Sequence, residues 1–245
     1  MGNQIKNQEQ PFDTNKISVI GNIVPASIQI NEEKGYAKYL VIISDQKKEG
    51  EAEKKPQFYN FIQKLDDKNS LLNGLKEIHE NKIGKQVSIT GAISYSKVEK
   101  EGSTKYYNNF NAFNLTPTSE FIPPKATIEL TGVLHSPLKI QEKDNMNADT
   151  GEVSSSKYGT FCIKTLEGKE GNITKYHNIY LSNYSIQNSQ EFLKSIKSGE
   201  QISIKARLSG NGDIKLSKDS QVFKGKNFEE SLIEKPKAKV NNLDR

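Results

Sequence analysis

The stretch that decides the fold is ISVIGNI at residues 17–23, because a similar stretch, IELTGVL, follows at residues 128–134. Both stretches alternate apolar and other residues around a glycine, which is the pattern of a strand with one buried face. The chain therefore contains an internal repeat, and each copy begins with such a strand.

The rest of the repeat follows in a constant order. Three further stretches recur, namely KYLVII at 38–43 as KYGTFCI at 157–163, QFYNF at 57–61 as KYHNI at 175–179, and GKQVSI at 84–89 as GEQISI at 199–204. Ahead of the last of these, apolar residues recur at helical spacing in both copies. Each copy thus indicates five strands with one short helix between the third and the fourth.

That order of elements is the order of the OB fold, a small Greek-key barrel. We therefore predict a mainly β chain with two tandem OB-fold barrels, each with one short helix between strands 3 and 4. The predicted division is a flexible N-terminal tail at 1–14, a first OB-fold domain at 15–118, a Pro-containing linker at 119–126, a second OB-fold domain at 127–224 and a flexible C-terminal tail at 225–245. Two charge-rich stretches, 45–55 and 141–157, are expected as solvated loops between the second and third strands.

The composition excludes several classes of protein. Hydrophobic residues make up 33% of the 245 residues, and no stretch approaches the roughly 20 apolar residues that span a bilayer. The single cysteine, Cys162, cannot form an internal disulfide, and the N-terminal residues lack the apolar core of a signal peptide. We therefore expect a cytoplasmic protein.

The residues give no sign of catalysis. His79, His135 and His177 are scattered, without a second metal ligand at a suitable spacing. The sequence also contains no phosphate-binding P-loop and no G-x-S-x-G nucleophile elbow. We predict a protein that is not an enzyme and that uses no cofactor and no metal.

The type of positive charge points to a partner. The net charge is +5, and nearly all cations are lysines, since Arg207 and Arg245 are the only arginines. Arginine is the residue that most often reads guanine in a duplex, whereas lysine attracts phosphates without reading bases. Lysines combined with Tyr and Phe on barrel strands are typical of proteins that bind single strands with little sequence preference.

Strand alternation selects the candidate contact residues. On the third strand of the second copy, Tyr176, Asn178 and Tyr180 share the outer face, because the alternating residues between them form the apolar face. The full set of predicted nucleic-acid-binding residues is Tyr39, Phe58, Asn60, Lys97, Lys105, Tyr106, Tyr107, Tyr158, Tyr176, Asn178, Tyr180, Lys205, Arg207 and Lys215.

Three stretches and their order resemble the single-stranded DNA-binding protein family of bacteria, phages and plasmids. They are FYNF at 58–61, then GKQVSITGAI at 84–93 after the helix, then the hairpin EGSTKY at 101–106. The resemblance implies single-stranded DNA as the partner, and protection of that DNA during replication, repair or mobile-element transfer. Family members usually bring four OB folds together, which implies that a chain with two of them forms a homodimer.

The sequence also departs from the family pattern. Phe58 and Tyr176 stand where the family usually has a stacking Trp, and Ala206 replaces the glycine that Gly91 supplies in the first copy. The last residues, KAKVNNLDR at 237–245, are not the acidic tail with a terminal Phe through which cellular members recruit replication enzymes. A specialised role on a plasmid, phage or other mobile element is therefore expected.

Two alternatives stay open at the level of the sequence. Single-stranded RNA would fit the same groove, because its bases can stack on the same aromatic side chains. Alternatively, one or both copies act as a scaffold for protein partners. The second copy has fewer hairpin aromatics and is the better candidate for such a loss, although Lys205 and Arg207 are evidence against it.

Overall fold

The computed structural model describes residues 13–44, 55–65, 70–81, 85–100, 103–146, 150–167 and 173–225. For residues 70–72, 96–100, 103–107 and 145 it describes the backbone alone. Within these ranges the chain is mainly β, as predicted.

The elements of the first repeat copy form one unit of the molecule. They are β1 Thr14–Ile23, a short 3-10 helix Pro25–Ser27, β2 Gln29–Asn31, β3 Tyr36–Ile43, β4 Gln57–Lys64, α1 Ser70–Asn81, β5 Gln86–Lys100 and β6 Ser103–Pro117. The elements of the second copy are β7 Lys125–Met146, β8 Val153–Glu167, β9 Ile173–Leu181, α2 Asn183–Ser195, β10 Gln201–Leu208, β11 Ile214–Leu216 and β12 Gln221–Lys224.

Strand pairing closes each unit into a ring of five strands. In the first unit β1 pairs with β5, β5 with β6, β6 with β4, β4 with β3, and β3 again with β1. In the second unit β7, β10, β11, β9 and β8 pair in the same cyclic order. In both rings a single pair is parallel, β4 with β6 and β9 with β11. This is the closed Greek-key barrel of the OB fold.

The glycine of the repeated first strand lies where each ring closes. A Cβ atom on Gly21 would lie 2.7 Å from the Ile42 carbonyl oxygen, and one on Gly132 would lie 2.4 Å from the Lys164 carbonyl oxygen. Neither carbonyl belongs to the glycine's own strand, because Ile42 is in β3 and Lys164 is in β8. A side chain at these positions would therefore push apart the two strands that complete the barrel.

Alternating residues fill the two barrels. On β9, His177, Ile179 and Leu181 are buried, while Tyr176 and Tyr180 are exposed. The helices each bury one apolar stripe, with Leu75 and Ile78 from α1, and with Ile186 and Leu193 from α2. The apolar face predicted for β9 is therefore confirmed.

The two units join through their first strands. β1 and β7 pair antiparallel, and Ile17 lies opposite Ile128, its counterpart in the repeat. The buried Tyr59 hydroxyl of the first unit donates a hydrogen bond to the Leu208 carbonyl of the second, at 2.9 Å. All twelve strands thereby form one continuous sheet.

The stretch 141–157, expected as a loop, is instead largely a two-stranded ribbon. The far ends of β7 and β8 pair from Gln141 opposite Tyr158 to Met146 opposite Val153. Its serines and threonine satisfy the alternating pattern of a solvent-exposed hairpin as well as that of a loop, so polarity alone could not separate the two. Most of the other expected loop, residues 45–54, lies outside the described residues.

Candidate nucleic-acid interface

The predicted face of β9 is the best-defined candidate surface. Tyr176 is 51% exposed and Tyr180 is 37% exposed, with the exposed Asn178 between them. The three side chains project from the same face because they alternate with buried residues on one strand. They line one open groove of about 590 Å³.

The first unit completes this groove. Tyr95 of β5 and Asn108 of β6 line it together with the β9 residues. Both lie where the β5–β6 hairpin extends beyond its own barrel, and the Asn108 amide donates to the Asn211 carbonyl in the turn after β10. The groove is therefore a joint product of the two units.

Aromatic and basic groups surround Tyr176. The exposed His135 ring lies 4.8 Å from the Tyr176 ring, at an interplanar angle of 60°. Lys164 of β8 is the cross-strand neighbour of Tyr176. An exposed ring beside a lysine offers a stacking surface and a cation to a ligand that has both bases and phosphates.

A chain of hydrogen bonds fixes Tyr95 on the second unit. The Thr165 hydroxyl donates to Glu167 Oε1 at 2.9 Å, so it accepts from His177 Nε2, which is also 2.9 Å away. His177 Nδ1 then accepts from the Tyr95 hydroxyl at 3.3 Å. Burial raises the pKa of Tyr95, which keeps its hydroxyl protonated as a donor.

Glu167 anchors the other end of this chain. Burial by itself would raise the pKa of Glu167, but the adjacent His177, Lys175 and Asn15 together lower it to about 2. Asn15 belongs to β1, and its amide donates to Glu167 Oε1 at 2.7 Å. The ionised carboxylate therefore ties both units together behind the groove.

Three of the predicted cations lie together at a second surface. Lys205, Arg207 and Lys215 line a cleft of about 770 Å³ between the two units. Arg207 of β10 is the cross-strand neighbour of Lys215 of β11, which in turn lies beside Tyr180 of β9. The basic cleft and the aromatic groove therefore meet at Lys215 and Tyr180.

The corresponding face of the first unit carries a weaker set of groups. Phe58 is 47% exposed and Asn60 is exposed on β4, as the alternation predicts. The position equivalent to Tyr180 is Ile62, and the position equivalent to Arg207 is Ala92. Neither Phe58 nor Asn60 lines the aromatic groove or the basic cleft.

Tyr39 is a correction to the predicted set. Its side chain is 2% exposed, stacks on Phe61 and donates a hydrogen bond to Gln63 Oε1 at 2.8 Å. A ring enclosed in the barrel core has no free face for a base. Cross-strand pairing makes Phe161 its structural counterpart, since Tyr39 lies opposite Phe61 and Phe161 lies opposite Ile179.

Tyr158 occupies a different place from the one that the repeat suggested. It is half-buried on β8, and its hydroxyl donates to Gln141 Oε1 across the ribbon. It lies two residues from Thr160, the cross-strand neighbour of Tyr180, but it does not line the groove.

Four predicted residues belong to the hairpin of the first unit. Lys97 pairs with Tyr106, Ser96 with Tyr107 and Val98 with Lys105 along β5 and β6. The side chains of Lys97, Lys105, Tyr106 and Tyr107 lie outside the described part of the structure, so their role stays a prediction.

Tyr95, Asn108 and Lys175 are groove residues that the sequence did not single out. Tyr95 continues the inward alternation of Val87, Ile89 and Ile93, so the sequence pattern predicts a core residue. It faces the neighbouring unit because β5 outlasts its own barrel. No local signal in the sequence carries that information.

The described residues contain no group of three His, Cys, Asp or Glu side chains that could hold a metal ion. Cys162 is a free, buried thiol. Among the helices of the described chain, none is long and apolar enough to cross a membrane.

Two solved structures of the single-stranded DNA binding protein from Thermus aquaticus are similar to nearly the whole chain. The wild-type protein matches with a TM-score of 0.55 at 11% sequence identity, covering 90% of this chain and 97% of that one. A deletion mutant matches with a TM-score of 0.56 at 12% identity, covering 89% and 99%. No protein-family model and no curated protein sequence matches. The resemblance seen in the sequence is confirmed at the level of the fold.

Proposed function

We propose that this chain binds single-stranded DNA with little sequence preference, as a non-catalytic protein that coats and protects the strand. The observation that carries the proposal is the groove in which Tyr176, Asn178 and Tyr180 lie exposed beside one another, next to Lys215. The shared fold supports it, because the similar protein from Thermus aquaticus is a single-stranded DNA binding protein.

The groove can recognise a single strand by the chemistry of its side chains. Exposed tyrosine rings stack on unpaired bases, and each such contact contributes about 1–3 kcal/mol. Lysines attract the phosphates without reading the sequence. A duplex presents bases that are already stacked and paired, so it cannot use the ring faces of Tyr176 and Tyr180.

The biological setting follows from the same proposal. Coating a strand serves DNA replication, DNA repair or the transfer of a mobile element such as a plasmid or phage. A cytoplasmic location, which the single cysteine predicts, belongs to that setting.

Fluorescence anisotropy of a labelled oligothymidylate, titrated at two salt concentrations, tests the proposal. We expect tight binding that weakens steeply with salt and that unlabelled duplex DNA fails to displace. Competition with a matched RNA separates DNA from RNA binding. No binding at low salt would overturn the proposal and favour a scaffold for protein partners.

Substitutions in the groove test where the strand binds. Tyr176→Ala and Tyr180→Ala are each expected to weaken binding about 5- to 150-fold, the equivalent of one lost stacking contact. Tyr184→Ala is the matched control, because Tyr184 is 44% exposed but lies on α2, away from the groove. Equal effects of all three substitutions would contradict the assignment of the groove.

A further inference from the structure

The basic cleft between the units contains more cations than the sequence singled out. Its lining includes Lys55 ahead of β4, Lys125 at the start of β7, Lys205 and Arg207 on β10, and Lys215 on β11. These residues come from both units and are far apart in the chain. Their convergence on one concave surface of about 770 Å³ is a consequence of the fold, unlike a run of charges along one exposed strand.

Much of this charge is not neutralised by the protein. Lys205 pairs with Glu129 at 2.8 Å, and Lys215 lies 3.8 Å from Asp213. Within the described ranges, Lys55, Lys125 and Arg207 form no ion pair, and Asp219 is the one carboxylate that lines the cleft. A concave surface with such an excess of positive charge favours an anionic ligand.

The cleft and the aromatic groove form one path. Arg207, Lys215 and Tyr180 are neighbours on three adjacent strands, and all three are exposed. Two strand spacings separate Arg207 from Tyr180, a distance of about 10 Å. A flexible strand whose bases stack on Tyr180 therefore reaches the cleft past Lys215.

We propose that the basic cleft is a phosphate-binding subsite for the same single strand, entered at Lys215 and formed by Arg207, Lys125 and Lys55. The inference rests on the proposed function and extends it from one unit to both. The cleft takes backbone rather than bases. Its aromatic residue, Tyr59, is 1% exposed and cannot stack, while the hydroxyls of Ser182, Ser209 and Ser217 add hydrogen-bond donors for phosphates.

Oligonucleotide length separates the subsite from the groove. Oligothymidylates of about 5 and about 15 nucleotides lie near the two ends of the site sizes known for OB folds. The double variant Arg207→Gln/Lys125→Gln removes two unpaired charges and keeps long polar side chains. Lys194→Gln, an exposed lysine of α2 outside the cleft, is the matched control.

Dissociation constants are measured for both oligonucleotides over a range of salt concentrations, with thermal unfolding to verify that each variant folds. For the longer oligonucleotide, the double variant should lower the slope of log affinity against log salt by about 1.4, since each lost contact on a single strand removes about 0.7. The shorter one should lose less, and Lys194→Gln should match the wild type.

The outcomes separate this inference from the proposed function. If the wild type binds both oligonucleotides and the double variant shows the wild-type slope, the cleft is not a subsite and the groove still is. An equal loss of slope for both lengths would likewise overturn the subsite. If the wild type binds neither oligonucleotide, the proposed function fails, and the inference fails with it.

Discussion

At the scale of single residues, Tyr39 shows how one hydrogen bond separates a core role from a binding role. Its hydroxyl donates to Gln63 Oε1 at 2.8 Å, and Gln63 is 1% exposed, with no partner for its Nε2 atom among the described residues. Tyr39→Phe leaves this buried carbonyl unsatisfied and should lower the free energy of unfolding by about 1–3 kcal/mol. Adding Gln63→Leu removes the orphaned amide and should restore most of the loss, as urea unfolding would measure. Affinity for single-stranded DNA should be unchanged in both variants, and a loss of affinity in Tyr39→Phe would return this residue to the binding surface.

Glu167 makes stability depend on pH in a predictable direction. Its pKa lies at about 2 in the folded chain against an ordinary 4.5, so the ionised carboxylate stabilises the fold above pH 4.5. That stabilisation is lost as the pH falls from 4.5 towards 2. Glu167→Gln should therefore be less stable than the wild type at neutral pH by about 1.5–3 kcal/mol, the contribution of a hydrogen bond to a charged group. Urea unfolding across this range should show the two free energies converging, and a constant difference would contradict the ionised network.

At the scale of elements, a small residue decides whether each barrel closes. Gly132→Ala places a Cβ atom 2.4 Å from the Lys164 carbonyl oxygen, and we expect a loss of about 1–3 kcal/mol in the free energy of unfolding. Gly74→Ala in α1 is the matched control, because nothing lies within 4 Å of its added Cβ atom. That control should stabilise the chain by about 0.5–1 kcal/mol, since glycine is unfavourable inside a helix. Equal and small effects of the two substitutions would show that the strands part without cost.

Which elements the sequence predicts correctly depends on how strongly burial constrains them. On β9, apolar residues occupy one face and polar or aromatic residues the other, so Tyr176, Asn178 and Tyr180 are placed correctly. β3 reads YLVII from Tyr39 onwards and has no such contrast, so alignment of the repeat rested on the pair Lys-Tyr and was displaced by three residues from the true counterpart, Phe161. A displacement by an odd number reverses the face of every residue, which is why Tyr39 was assigned to the surface.

At the scale of the whole molecule, pairing between distant strands carries information that no local pattern contains. The β1–β7 ladder places Ile17 opposite Ile128 and sets the β5–β6 hairpin of one unit against the outer face of the other. The alternation on β5 predicts that Tyr95 is a core residue, and the alternation on β7 says nothing about a cleft. The composite groove and the basic cleft follow only once the two units are joined, so the sequence predicts the residues of each barrel better than the site between them.

Assembly of copies is the remaining whole-molecule prediction. The resemblance implies four OB folds in one assembly, and strand pairing closes two five-strand rings in this chain. We therefore expect a homodimer, with a mass of twice 27.5 kDa by multi-angle light scattering at micromolar concentration. A dimer has two grooves on one particle, so a strand long enough to reach both should bind more tightly than a short one through effective concentration. A mass of 27.5 kDa at every concentration would rule out the dimer, and affinity should then stop rising once one groove and its cleft are filled.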